Sequence, residues 1–108
     1  MSYLPHPRTA DVELTSVLRA LSDTTRLALL DEISRHPGKS CGTFETTMAK
    51  STLSAHFKTL RSAGLIHQSV GPGNSRLNWP RTDEIDARFP RLVATVLEAY
   101  STVESPSL

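Results

Sequence analysis

Leu14, Val17, Leu18 and Leu21 recur at three- and four-residue steps, a spacing that places apolar side chains along one face of a helix. A first helix is therefore predicted from Asp11 onward. Residues 1–10, polar and containing prolines, read as a loose arm before it. Ser22 and Asp23 offer an N-cap, and Leu27, Leu30 and Ile33 carry the period into a second helix. That helix should stop near His36-Pro37-Gly38, because proline cannot continue it and glycine suits a helix end. The stretch KSCGTFETTMA shows little pattern and predicts only a brief helix between Gly42 and Lys50. Helical period returns with Leu53, Phe57 and Leu60, giving a longer helix capped by Ser51 or in the neighbourhood of Lys50 and closed by Gly64, a residue able to take the left-handed conformation.

After Gly64 the pattern changes. Leu65 to Val70 is strand-like, Gly71-Pro72-Gly73-Asn74 is a turn cluster, and Arg76 to Trp79 returns as a second strand. Phe89, Leu92, Val93, Val96, Leu97 and Tyr100 then predict a last helix starting near Pro90. Its apolar stripe is broad for so small a domain, and a second copy of the chain would cover the excess. The fold class expected is mainly α with a small β-hairpin: a winged helix-turn-helix, homodimeric. The arm spans 1–10, the domain 11–102 and a C-terminal tail 103–108, with no internal repeats.

The 108 residues suit a single domain. One cysteine, Cys41, excludes a disulfide framework or a multi-cysteine zinc site within the chain. No apolar run approaches the roughly 18 residues that a membrane helix needs. The opening MSYLPHPRT lacks the charged start and apolar middle of a signal peptide, so a cytoplasmic location is expected.

The net charge of +1 conceals an uneven distribution. No acidic residue lies between Glu45 and Asp83, whereas Lys50, Lys58, Arg61, Arg76 and Arg81 do. Such asymmetry is the electrostatic footprint of a face that binds a polyanion. The helix within this segment carries Lys50, Ser51, Thr52, Ser54, Ala55 and Lys58 opposite its apolar stripe. Small residues permit close approach to a DNA groove, and hydroxyls and ammoniums reach phosphates or base edges. An ordinary surface helix more often mixes glutamates with its lysines.

Two segments carry a family resemblance. VLRALSDTTRLALLDEI at Val17 to Ile33 resembles the opening helices of the ArsR/SmtB winged-helix repressors, and KSTLSAHFKTLRSAGLI at Lys50 to Ile66 is similar to their recognition helix. With the wing and last helix, the likeness runs over roughly residues 11 to 100. It implies a DNA-binding repressor that holds a palindromic double-stranded operator as a homodimer. In such proteins the first and last helices pair across a two-fold axis.

By position, the resemblance offers Lys50, Ser51, Thr52, Ser54, His56, Lys58 and Arg61 as groove and phosphate contacts, with Asn74, Ser75 and Arg76 at the wing. His56, beside Phe57, is open to a second reading as a partly buried residue. Leu14, Val17, Leu18, Leu92, Val93, Val96, Leu97 and Tyr100 form the implied dimer interface.

The chain departs from the family it resembles where many of those proteins sense metals. Instead of a Cys-x-Cys it has Cys41-Gly42, and its last helix has no histidine. No metal and no cofactor are therefore expected. Cys41 is left as a candidate sensor, since a thiol near a helix start and a lysine ionises more easily and reacts with oxidants; the alternative is a small buried apolar residue. Two other functional readings stay open: a winged-helix protein-interaction module without DNA binding, and a repressor answering to a metal or small molecule. An enzyme is not expected, because no nucleophile elbow, phosphate loop or paired carboxylates occur.

Overall fold

The computed structural model describes residues 4–103. The expected tail therefore lies outside the described residues except for Val103, as do the first three residues of the arm. Five helices, α1 (Leu14–Leu21), α2 (Thr24–Arg35), α3 (Lys50–Ser62), α4 (Thr82–Arg88) and α5 (Leu92–Val103), surround a small sheet. Its strands are β1 (Lys39–Ser40), β2 (Ile66–Val70) and β3 (Arg76–Pro80), antiparallel in the order β1-β3-β2. This is the winged helix-turn-helix architecture expected, with a third strand added to the hairpin.

The core follows the apolar spacing. Val17 of α1, Leu29, Leu30 and Ile33 of α2, and Leu60 of α3 are fully buried. Each such aliphatic side chain stabilises the fold by about 1.5–3 kcal/mol through burial. The α2 cap is the one expected: the Asp23 carboxylate accepts the Arg26 amide at 3.0 Å. The far end of α3 closes as expected too, with the Leu65 amide donating to the Leu60 carbonyl at 3.0 Å and Gly64 at φ +88. A Cβ on Gly64 would lie 2.6 Å from Val12 Cγ2, so glycine also permits Val12, 2% exposed, to seat there.

Four local expectations need correction. α1 begins at Leu14, with Thr9–Asp11 forming a separate 3-10 turn before it. The brief helix between Gly42 and Lys50 does not form: Cys41–Thr43 is a 3-10 turn, and 44–49 is irregular. There the Thr46 hydroxyl accepts the Met48 amide at 3.0 Å, a local bond that competes with helix hydrogen bonding. Phe44 is drawn into the core, edge-on to Phe57 at 5.3 Å. α3 has Ala49 at its N-cap without a side-chain bond, so Ser51 is not the cap.

The expected last helix forms as α5, starting at Leu92 close to Pro90, and a further helix, α4, precedes it. Pro90 lies in the turn between α4 and α5, where Arg91 takes φ +57. The Asp86 carboxylate reaches across to the first free amides of α5, at 2.7 Å to Val93 and 3.1 Å to Ala94. A carboxylate satisfies those orphan donors and complements the helix dipole. From His6 onward, the segment read as a loose arm is packed on the domain. His6 Nε2 accepts the Gln68 amide at 2.9 Å, and Arg81 donates to the Pro7 carbonyl at 2.9 Å.

Candidate nucleic-acid interface

α3 is held by Phe57, Leu60 and Arg61, all buried. Its helical phase consequently turns Lys50, Ser51, Thr52, Ser54, Ala55 and Lys58 to solvent, and all six are exposed. The first turn has no acidic residue and no side-chain cap. Its free amides and Lys50 thus present positive potential at the same end. At the wing, Asn74 and Arg76 are exposed. The half-buried Ser75 spends its hydroxyl donating to the Pro72 carbonyl at 2.8 Å, which fixes the wing turn.

Several residues singled out in the sequence face elsewhere. Arg61 is 7% exposed and donates through Nη1 to Gln68 Oε1 at 2.6 Å, beneath the wing. It is therefore corrected from a DNA contact to a buried structural residue. Burial, reinforced by the charge of Arg76, pulls its pKa below the ordinary guanidinium value. Arg81 also turns inward, paired with Glu84 and bonded to the arm. Of the five cations in the acid-free segment, Lys50, Lys58 and Arg76 remain on the surface.

His56 is half-buried, and its Nδ1 lies 3.3 Å from Arg26 Nη1. An arginine only donates, so the imidazole accepts there and carries its proton on Nε2. The same guanidinium donates to the Ala20 and Arg19 carbonyls at 2.8 and 3.1 Å. Arg26 thus ties the end of α1 to α3.

Cys41 does not have the setting of an activated thiol. It opens a three-residue 3-10 turn and has no α-helix start behind it. Lys39 points to Glu32, 3.4 Å away, and sits over the Phe44 ring. Burial pushes the Cys41 pKa up, outweighing the Asn78 and Gln68 amides that donate to its sulfur at 3.2 and 3.5 Å and the charge of Arg76. A thiol so placed is less ionised than a free cysteine, a setting that does not favour the reactive sensor expected.

The amides on Cys41 belong to a buried polar layer that sequence reading missed. Gln68 Nε2 donates to Asn78 Oδ1 at 2.8 Å, and Asn78 Nδ2 donates to the Lys39 carbonyl at 3.0 Å. Gln68 and Asn78 face each other across β2 and β3, 2% and 0% exposed. Together with Arg61 they fasten the wing to α3. The signal for them was masked, since Leu77 and Trp79, the apolar residues of β3, are the ones facing outward.

The expected dimer residues divide. Val17 and Val93 are fully buried in the single chain and Tyr100 is 5% exposed, so these three are core residues and are corrected as such. Leu14 and Leu18 are 44% and 46% exposed on α1, whereas Leu92, Val96 and Leu97 of α5 are partly covered by the core. Among the described residues, no three His, Cys, Asp or Glu side chains come together as a metal site. No helix among them is long and apolar enough to cross a membrane.

No curated protein matches the chain. Residues 23–68 match the family model of bacterial regulatory proteins, arsR family. The match begins at the α2 cap and ends at Gln68 in the middle of β2, so it contains the whole of α3 and the buried layer's contact with it. The stretch from Asp23 to Gln68, which holds α2 and α3, is thus similar to the helix-turn-helix of arsR-family bacterial regulatory proteins.

Proposed function

We propose that the protein is a transcriptional repressor that binds a palindromic DNA operator as a homodimer. The observation that carries this reading is the outward face of α3: exposed hydroxyls, a small residue and two cations, with no carboxylate along the helix. Lys50, Ser51, Thr52, Ser54 and Lys58 lie against the major groove. The wing residues Asn74 and Arg76 meet the adjoining backbone. His56 is a flanking contact through its Nε2 proton. Selection of bound duplexes from a random pool tests the reading. The expected result is an inverted repeat, and recovery of no preferred sequence would contradict a specific operator.

Dimerisation rests on Leu14 and Leu18, which stand exposed on α1 although their chemistry favours burial. The two α3 helices of a two-fold dimer must reach successive major grooves about 34 Å apart, so specific binding needs the pair. Leu18→Arg would place an unpaired charge in the interface at a cost of several kcal/mol. Sedimentation should show a dimer for the unchanged protein and a monomer for L18R, with the latter still folded by circular dichroism. A wild-type monomer at micromolar concentration would contradict the proposal.

A further inference from the structure

α1 and α3 do not close completely against each other. Between them lies an open cleft of about 260 Å³ lined by Ser16, Arg19 and Ala20 from α1, by Lys58, Thr59 and Ser62 from α3, and by Ala63 just after it. Arg19 and Lys58 are exposed, and among the described residues neither makes an ion pair. Among the described residues no carboxylate lines the cleft; of its three hydroxyls, that of Thr59 donates to the Ala55 carbonyl at 3.0 Å, which leaves those of Ser16 and Ser62. Two other clefts show how unlike this is: the one beside His67 contains Asp83 and Glu84, and the one between α2 and α5 contains Asp31, Asp83 and Glu98.

The cleft also has a fixed geometry. Arg26 donates to the Arg19 and Ala20 carbonyls and to His56 Nδ1, holding the end of α1 beside the middle of α3. The Arg19 side chain is left outside that staple. Two cations and two serine hydroxyls lining one cleft without an acid match the chemistry of a phosphodiester, which offers acceptor oxygens and one negative charge. Lys58 belongs at once to this cleft and to the outward face of α3.

We propose that the cleft between α1 and α3 is a phosphate-binding subsite, and that a backbone phosphate of the bound DNA is its occupant, with Arg19 as a DNA contact supplied by α1. The inference rests on the reading of α3 as the DNA-binding helix. It adds that α1, besides offering Leu14 and Leu18 for dimerisation, grips the backbone next to the groove. Arg19 then fixes register and strengthens binding to every sequence, without reading bases.

The test is a salt titration of duplex binding by fluorescence anisotropy, using the full chain. Arg19→Ala should lower affinity for the selected operator and an unrelated duplex by the same factor. It should also reduce the slope of log affinity against log salt by about 0.9, the value of one lost phosphate contact. Ser62→Asp, which places a carboxylate in the cleft, should weaken both duplexes further than Arg19→Ala does. Unchanged affinity and slope in both variants, while Lys50→Ala and Arg76→Ala still weaken binding, would overturn the subsite alone. Unchanged binding in all four variants would overturn the α3 reading with it. A free phosphate as the occupant is distinguished by titrating inorganic phosphate at constant ionic strength and following the Arg19 side chain by NMR. Saturable shifts at millimolar phosphate, with DNA binding unaffected by Arg19→Ala, would assign the cleft to a free anion and overturn the DNA contact.

Discussion

Lys58 and Arg61 stand one turn apart on the same helix, and they have opposite surroundings. Lys58 is exposed beside hydroxyls and a second cation, whereas Arg61 is covered by the wing and bonded to Gln68. The difference is helical phase: Arg61 falls next to Phe57 and Leu60 on the inward side, and Lys58 does not. A count of charges along the chain treats the two alike. The fold turns one outward, where the proposed function has it meet a polyanion, and uses the other to brace the element that carries it.

The largest consequence of this contrast concerns stability. Arg61→Ala should remove the partner of Gln68 Oε1 inside the buried layer and cost about 1–3 kcal/mol, the usual penalty for an orphaned buried polar group. Lys58→Ala should leave stability within about 0.5 kcal/mol, as expected for an exposed residue without a partner. Urea unfolding of the two variants checks both expectations. Equal losses would mean that phase does not separate their roles.

The parts that sequence pattern made legible are those where apolar spacing and special backbone residues agree. α2 runs from the Asp23 cap to the turn at His36, and α3 closes at Gly64, because a cap, a period and a glycine each point to the same boundaries. β1 and α4 escaped notice for the opposite reason. β1 is two residues long, and α4 buries only Ile85, so neither leaves a repeating pattern. In β3 the usual alternation is inverted, with Asn78 inside and Trp79 outside. The exposed face of α3 was legible residue by residue, but the inward turn of Arg61 depended on how the wing folds back.

Asn78→Leu provides a second way to sharpen the comparison, because it removes the amide that links Gln68, Lys39 and the Cys41 sulfur. It should destabilise by about 1–3 kcal/mol through the groups left unpaired. It should not change the reactivity of the thiol toward oxidants enough to release DNA. Peroxide treatment of the wild type should likewise leave DNA binding intact. Oxidative release that disappears in Cys41→Ser would assign the sensor role to this thiol against that expectation.

The smallest effect expected is a pH dependence at the other edge of the buried layer. Burial, then the charge of the stacked His67 ring at 4.3 Å, keeps His6 below the usual histidine pKa, with Arg61 and Arg81 adding to the effect against a backbone bond at Leu4. The folded protein thus prefers neutral His6, whose Nε2 must accept the Gln68 amide. The unfolded chain takes up its proton near pH 6.5. Stability from this contact should be complete above about pH 6.5 and be lost as the pH falls through the lower folded value. Melting curves between pH 8 and 5 should show a decline that is shallower in His6→Gln. An identical decline in that variant would assign the pH dependence to other groups.

The most direct test of the central claim pairs salt titrations of operator binding for Lys58→Ala and Arg61→Ala, both measured at temperatures where each remains folded. If the outward face of α3 is the DNA-binding surface, Lys58→Ala lowers the salt slope by about 0.9, while Arg61→Ala lowers stability and keeps the wild-type slope. A slope reduced by Arg61→Ala and unchanged in Lys58→Ala would contradict the assignment of the two faces.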